Sequence, residues 1–118
     1  MSHVPPGGVA RVRIAVRDLD RACRFYVDLF GWSVVRAGPD ERELRSPCGL
    51  AALLSPAGDP STAGPELYVR VVSIEAALRR AGALGGARLA RASPPVRGVR
   101  TAVVMDTEGN RVGLWEAT

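Results

Sequence analysis

Polar and aromatic side chains that could bind a small molecule alternate with apolar ones in three short stretches, residues 11–17, 66–71 and 111–116. Alternation with period two is typical of β-strands with one face on a core, so the intervening residues share the opposite face. An arginine there could pair with a carboxylate, phosphate or phenolate, and an aromatic ring could stack on a flat molecule. The candidate ligand-binding residues are Arg11, Arg13, Glu66, Tyr68, Arg70, Gly113 and Trp115.

Two of these residues, Glu66 and Tyr68, are also the candidates for acid–base chemistry. Glu66 could act as a general base if burial raised its pKa, or it could form an ion pair with a neighbouring arginine. Simpler interpretations stay open for others: Arg11 and Arg13 could be solvated, and Trp115 could pack in a core or a dimer interface.

The first two stretches begin the two copies of an internal repeat. Residues 11–31 recur 55 positions later as residues 66–86 without a gap. Each copy predicts a strand followed by a helix, with Asp18 and Ser73 as N-caps. Gly31 is predicted to end the first helix, and the second helix is predicted over residues 74–83, running out into Gly85-Gly86. Such self-similarity predicts one domain built from two paired modules.

Three further strands are predicted after each helix, so each module reads β-α-β-β-β. Residues 106–110 are predicted to form the last hairpin loop, with Gly109 at positive φ. We expect a single domain over residues 1–118, with a disordered start at 1–8, module one at 9–55, a linker at 56–65 and module two at 66–117. The predicted strands after the helices are 32–36, 41–45, 50–54, 87–90, 100–105 and 111–116.

The composition narrows the classes of function. The net charge is +4, but lysine is absent and the arginines are scattered without interleaved aromatics, so nucleic-acid binding is not expected. No apolar run approaches the ~20 residues that span a bilayer, and the first ten residues do not resemble a signal peptide. Cys23 and Cys48 lack metal-site spacing and are predicted to be free thiols of a cytoplasmic protein.

Two motifs carry a family resemblance. The first runs through residues 16–22 to Phe25-Tyr26 and 30–32, and the second joins residues 106–110 to 114–116. Together, on two β-α-β-β-β modules, they resemble the vicinal oxygen chelate superfamily, which includes glyoxalases, bleomycin-resistance proteins and extradiol dioxygenases. The resemblance implies an α+β fold in which mostly antiparallel strands form a cup-shaped sheet with helices outside, and it implies a homodimer.

The resemblance also assigns positions for metal ligands, which here are Arg11, Glu66, Gly113 and a residue within two of Ala52. A guanidinium cannot donate to a metal, and alanine and glycine have no side-chain donor. Glu66 alone falls short of the three protein ligands of a usual catalytic site. We therefore expect the metal-free branch of the superfamily, with no cofactor.

The resulting hypothesis is a protein that binds an aromatic or anionic organic ligand in the cup without a metal, as bleomycin-resistance proteins of this superfamily bind theirs. The first alternative is a metal-independent isomerase or cyclase of the same fold, with Glu66 or Tyr68 as acid or base. The second alternative is a divalent-metal enzyme resembling glyoxalases or dioxygenases. Gly113 is expected to leave space for the ligand.

Overall fold

The computed structural model describes residue 6 and residues 11–49, 51–56 and 67–117. Its contacts divide the chain into two compact units, residues 1–59 and 60–118, and each unit is described by itself. Glu66, most of the predicted linker and most of the predicted disordered start lie outside the described residues.

Module one has the predicted β-α-β-β-β order. Its sheet has the strand order β1-β4-β3-β2, in which β1 and β4 are parallel and the other pairs antiparallel. The Asp18 carboxylate caps α1 by accepting the backbone N–H of Arg21 at 3.0 Å, and Gly31 ends the helix at φ 72°. The elements are β1 (Arg11–Ala15), α1 (Leu19–Phe30), β2 (Ser33–Ala37), β3 (Arg42–Arg45) and β4 (Ala51–Ser55).

Module two repeats this topology, with the strand order β5-β8-β7-β6 and a parallel β5–β8 pair. The two helices begin at Leu19 and Ile74, which keeps the offset of 55, and Ser73 caps the second helix as predicted. This helix ends at Ala83, as predicted, and Gly85 after it takes a positive φ of 94°. The elements are β5 (Tyr68–Arg70), α2 (Ile74–Ala83), β6 (Ala87–Ala90), β7 (Val99–Met105) and β8 (Arg111–Ala117).

Aromatic side chains form much of the core of module one. Phe25 and Tyr26 are fully buried on α1, and Trp32 stacks on Tyr26 with ring centroids 5.3 Å apart. Packing explains why β2 begins at Ser33 and not at Trp32, where the sequence predicted its start. The α+β class and the two β-α-β-β-β modules are therefore as the sequence predicted.

The β7–β8 hairpin fixes the register of the last two strands in module two. The Asp106 carboxylate accepts the backbone N–H groups of Glu108 and Asn110, both at 2.8 Å, and the Asn110 side-chain amide at 3.0 Å. Gly109 takes a φ of 88°, as predicted for the loop.

Among the described residues, no helix is long and apolar enough to cross a membrane.

Candidate functional site

One face of the module-two sheet gathers the candidate residues of its first and last strands. Helix α2 contacts β6, β7 and β8, and the buried Ala102, Val104, Val112 and Leu114 belong to the face under it. The residues that alternate with them point to the other side, which we call the helix-free face of module two. Its members on β5, β7 and β8 are Tyr68, Arg70, Val99, Thr101, Val103, Met105, Arg111, Gly113, Trp115 and Ala117.

The ring of Tyr68 lies flat across Gly113, which is its partner in the parallel β5–β8 pair. A Cβ atom on Gly113 would lie 2.3 Å from Cδ2 of Tyr68, closer than any real contact. The space above Gly113, expected to be open for a ligand, is therefore filled by this ring. The other side of the ring is accessible, since Tyr68 is 52% exposed. Gly113 thus acts by letting the ring lie against the sheet.

The next rung of the same pair carries Arg70 opposite Trp115. The Arg70 guanidinium carbon lies 5.4 Å from the centre of the Trp115 ring, within range of a cation–π interaction. Trp115 is partly buried and Arg70 is exposed. The rung therefore combines an aromatic face with a positive charge that solutes can reach.

The described carboxylates of module two lie away from this face. Glu75 pairs with Arg100 at 2.7 Å, and Glu116 accepts the backbone N–H of Ile74 at 2.6 Å at the start of α2. The other two described carboxylates belong to the β7–β8 hairpin. Within the described residues, the structure gives Arg70 no ion pair, so the helix-free face is positively charged; Glu66 lies outside this description.

The corresponding face of module one is different. Arg13 is exposed and lies opposite Leu53, which is only 4% exposed. Ser55 is 7% exposed, and its hydroxyl has no hydrogen-bond partner in the described part of the chain. Arg11 lies in β1 opposite Ala51. The structure therefore brings Tyr68, Arg70, Gly113 and Trp115 together on module two, while Arg11 and Arg13 belong to the sheet of module one.

Strand register also identifies the module-one counterpart of Gly113. Tyr68 lies opposite Gly113, and its repeat counterpart Arg13 lies opposite Leu53. The position estimated near Ala52 is therefore Leu53, which has no donor atom. Among the described residues, no group of three or more His, Cys, Asp or Glu side chains could hold a metal ion.

Sequence reasoning missed some members of the helix-free face. Thr101, Val103 and Met105 belong to it because β7 pairs with β8, where Thr101 lies opposite Trp115 and Val103 opposite Gly113. The alternation in residues 99–105 is weak in the sequence, since alanine, valine and methionine carry little contrast in polarity. Only the pairing assigns their face.

Comparisons with known proteins agree with this architecture. A family model described as a glyoxalase-like domain matches residues 11–115. A search of the curated proteins finds no match to the sequence.

Solved structures of low sequence identity share the fold. A glyoxalase/bleomycin resistance protein/dioxygenase family enzyme from Burkholderia phytofirmans PsJN is 19% identical, with a TM-score of 0.78 over 93% of this chain and 98% of the other. A mutant fosfomycin resistance protein from Listeria monocytogenes, complexed with Mn(II) and 1S,2S-dihydroxypropylphosphonic acid, is 17% identical, with a TM-score of 0.74 over 94% and 92%.

TioX from Micromonospora sp. ML1 is 22% identical, with a TM-score of 0.72 over 95% of this chain and 100% of the other. At these identities the likenesses establish the fold alone, whereas the family model covers most of the sequence. On that match and on the two β-α-β-β-β modules, the chain belongs to the glyoxalase-like domain family, within the vicinal oxygen chelate superfamily.

Proposed function

We propose that this protein binds a small anionic aromatic molecule on the helix-free face of module two, without a metal. The observation that carries the proposal is the rung in which the Arg70 guanidinium lies 5.4 Å from the Trp115 ring centre. A flat ligand could stack on the accessible parts of Tyr68 and Trp115 while its carboxylate or phosphate pairs with Arg70. Ligand sites commonly combine such aromatic walls with a few charged groups.

Charge on this face supports an anionic ligand over a cationic one. Arg70 and Arg111 are its charged residues in the described part of the chain, and the structure gives neither an ion pair there. A ligand carboxylate could therefore pair with a guanidinium without first breaking a salt bridge between that guanidinium and another described residue. The remaining ligand-binding candidates are Arg11, Arg13 and Glu66. Variants of these three residues can be tested in the same binding assay.

The chemistry of the positions assigned to metal ligands supports a metal-free site. Three of the four carry Arg11, Leu53 and Gly113, none of which has a side-chain donor for a metal. The ring of Tyr68 also occupies the space in which a side chain at 113 would extend. Glu66, the fourth, would bind an ion with fewer protein ligands than a catalytic site uses.

Tryptophan fluorescence tests the proposal, because the two tryptophans differ in environment. Trp32 is buried in module one, whereas Trp115 is partly exposed in module two. Titration with 1-naphthoate should quench the emission of the wild type, and Trp115→Leu should abolish the quenching while Trp32 still emits. Arg70→Gln should weaken binding about tenfold, as expected for loss of a charge-assisted pair of about 1.5 kcal/mol. The control Arg88→Gln, on the opposite face of the sheet, should leave the affinity unchanged.

Thermal unfolding gives an independent readout. A ligand at 100 times its Kd should stabilise the protein by about 2.7 kcal/mol. Zn²⁺, Mn²⁺ and Ni²⁺ should give no stabilisation in a His3→Ala variant, which removes the chain's single histidine. Metal stabilisation of that variant, lost in Glu66→Gln, would contradict the metal-free proposal.

The same ligands separate a binding protein from an enzyme. We propose binding without turnover, and product analysis after prolonged incubation should recover the ligand unchanged. Turnover that is lost in Glu66→Gln or Tyr68→Phe would replace this proposal with a metal-independent isomerase or cyclase.

We further propose a homodimer that works in the cytoplasm. Strand β2 lies at the edge of the module-one sheet, and Val34 and Val35 on it are 48% and 45% exposed. Cys23 and Cys48 form no disulfide bond with each other, which suits a reducing compartment. Sedimentation velocity should give a dimer that Val35→Lys converts to a monomer; a wild-type monomer would contradict the proposal.

A further inference from the structure

We propose that the ligand carries an aliphatic chain next to its anionic group, and that this chain binds in a cavity beside Arg70. The cavity has a volume of about 400 Å³ and is lined by Arg70, Val71, Val72 and Ala117. This volume lies within the range of small-molecule sites, about 300–1,000 Å³. The inference rests on the proposed function, because it extends the same site by one subsite.

Strand pairing aligns this cavity with the aromatic residues. Tyr68 lies opposite Gly113 and Arg70 opposite Trp115. The backbone N–H of Val71 donates to the Trp115 carbonyl at 2.8 Å, so the parallel pairing continues past the end of β5. By alternation, Val72 and Ala117 come next on the helix-free face. Along the strands, the face therefore presents first the Tyr68 ring, then Arg70 beside Trp115, and last an aliphatic end.

Val72, at the aliphatic end of the face, is unusually exposed for a valine. Val72 is 99% exposed, and it directly precedes the helix cap Ser73. The fold does not require an apolar residue here, because the repeat places Arg17 at the same point of module one. Covering Val72 with a hydrocarbon chain would remove apolar surface from water, at about 25 cal/mol per Å². An amphiphilic ligand would make use of Arg70 and of Val72 at once.

A series of benzoates measures this subsite directly. Benzoate, 2-ethylbenzoate, 2-butylbenzoate and 2-hexylbenzoate keep the same ring and charge, carry the chain next to the carboxylate and differ only in chain length. Complete burial of a methylene is worth about fourfold in affinity, so a chain lying in an open cavity should gain about twofold per methylene. Affinities are measured by quenching of Trp115 and by calorimetry on the full chain.

Two matched variants locate the effect. Val72→Asn should keep the wild-type affinity for benzoate and lose the gain with chain length. Val96→Asn serves as the control, because Val96 is also exposed, at 65%, and does not line the cavity. It should keep the full gain. Both side chains are solvent-exposed, so neither substitution should unfold the protein, and urea unfolding checks this.

Each outcome bears on one of the two proposals. A gain with chain length that survives Val72→Asn would overturn the subsite, and so would benzoate binding that requires Trp115 but shows no gain. Benzoate affinity that is unchanged in Trp115→Leu would overturn the proposed function itself. A gain that Val72→Asn abolishes and Val96→Asn retains supports the subsite.

Discussion

Replacing Gly113 by alanine should destabilise the protein because of Tyr68 alone. The new Cβ atom would lie 2.3, 2.5 and 2.7 Å from Cδ2, Cε2 and Cγ of the Tyr68 ring. Since Cγ itself is too close, turning the ring about its own axis cannot relieve the clash. The side chain must adopt another χ1 rotamer or the strands must separate. The backbone is no obstacle, because φ of Gly113 is outside the left-handed region.

Two opposing effects set the change in the free energy of unfolding that Gly113→Ala causes. Alanine in place of a strand glycine gains about 0.5–1 kcal/mol in the free energy of unfolding. Forced repacking costs about 1–3 kcal/mol, and the half-exposed Tyr68 places the cost near 2 kcal/mol. We therefore expect Gly113→Ala to lose about 1 kcal/mol. In a Tyr68→Ala background only the backbone effect is left, and Gly113→Ala should stabilise by about 0.5–1 kcal/mol. The coupling is about 2 kcal/mol, within the range for touching residues.

Urea unfolding of the four proteins in this double-mutant cycle measures the coupling, with the midpoint shifting and the slope unchanged. Gly82→Ala is the control, because Gly82 lies in α2 and its added Cβ would meet no atom within 4 Å apart from its chain neighbours and the backbone of its own helix. It should stabilise by about 0.8–1 kcal/mol whether or not Tyr68 is present. Equal stabilisation by Gly113→Ala in both backgrounds would refute the position of the ring.

Three further predictions concern polar groups that lie outside the helix-free face of module two. Ser55→Ala should stabilise by about 1 kcal/mol in urea unfolding, because it removes a buried hydroxyl without a partner in the described residues; a loss of stability would reveal a missed contact. The hydrogen bond from Arg100 holds the pKa of Glu75 below its ordinary 4.5, so its stabilisation is present above that pH and lost as the pH falls through the lower folded value. Glu75→Gln should make the urea midpoint less sensitive to pH in this window, and an unchanged acid profile would argue against the pair. Burial raises the pKa of the Cys23 thiol, so Ellman's reagent at pH 8 should modify the exposed Cys48 first; equal rates in Cys48→Ser and wild type would contradict this.

Local sequence signals predicted the scaffold well. The offset of 55 gave the starts of both helices, because the capping residues Asp18 and Ser73 act within a single turn. The Asp106 loop was likewise predictable, since its hydrogen bonds join residues at most four apart. The start of β2 was wrong by one residue, because Trp32 turns into a core that local alternation does not describe.

Details of the candidate site depended on long-range pairing that the sequence does not state. The contact between Tyr68 and Gly113 joins residues of two strands that are separated by a helix and two further strands. The Glu116 side chain also makes a long-range contact, because it accepts the N–H of Ile74, 42 residues earlier in the sequence. Since Glu116 points toward α2, its neighbour Trp115 lies on the helix-free face. Parity alone assigned these residues to a face and said nothing of which ring would cover which glycine.

The two modules therefore differ most where they would be expected to bind a ligand. The strand registers set the positions of one helix-free face in correspondence with those of the other: Arg13 with Tyr68, Ala15 with Arg70, Arg17 with Val72, Leu53 with Gly113 and Ser55 with Trp115. On the helix side the residue character is kept, as in Ile14 with Val69 or Ala22 with Ala77. A duplicated scaffold needs the same core twice, whereas a ligand needs one site. Every substitution along the β5–β8 pair adds an aromatic, cationic or exposed aliphatic group or makes room for one, and this one-sided change is the strongest argument that the ligand belongs to module two.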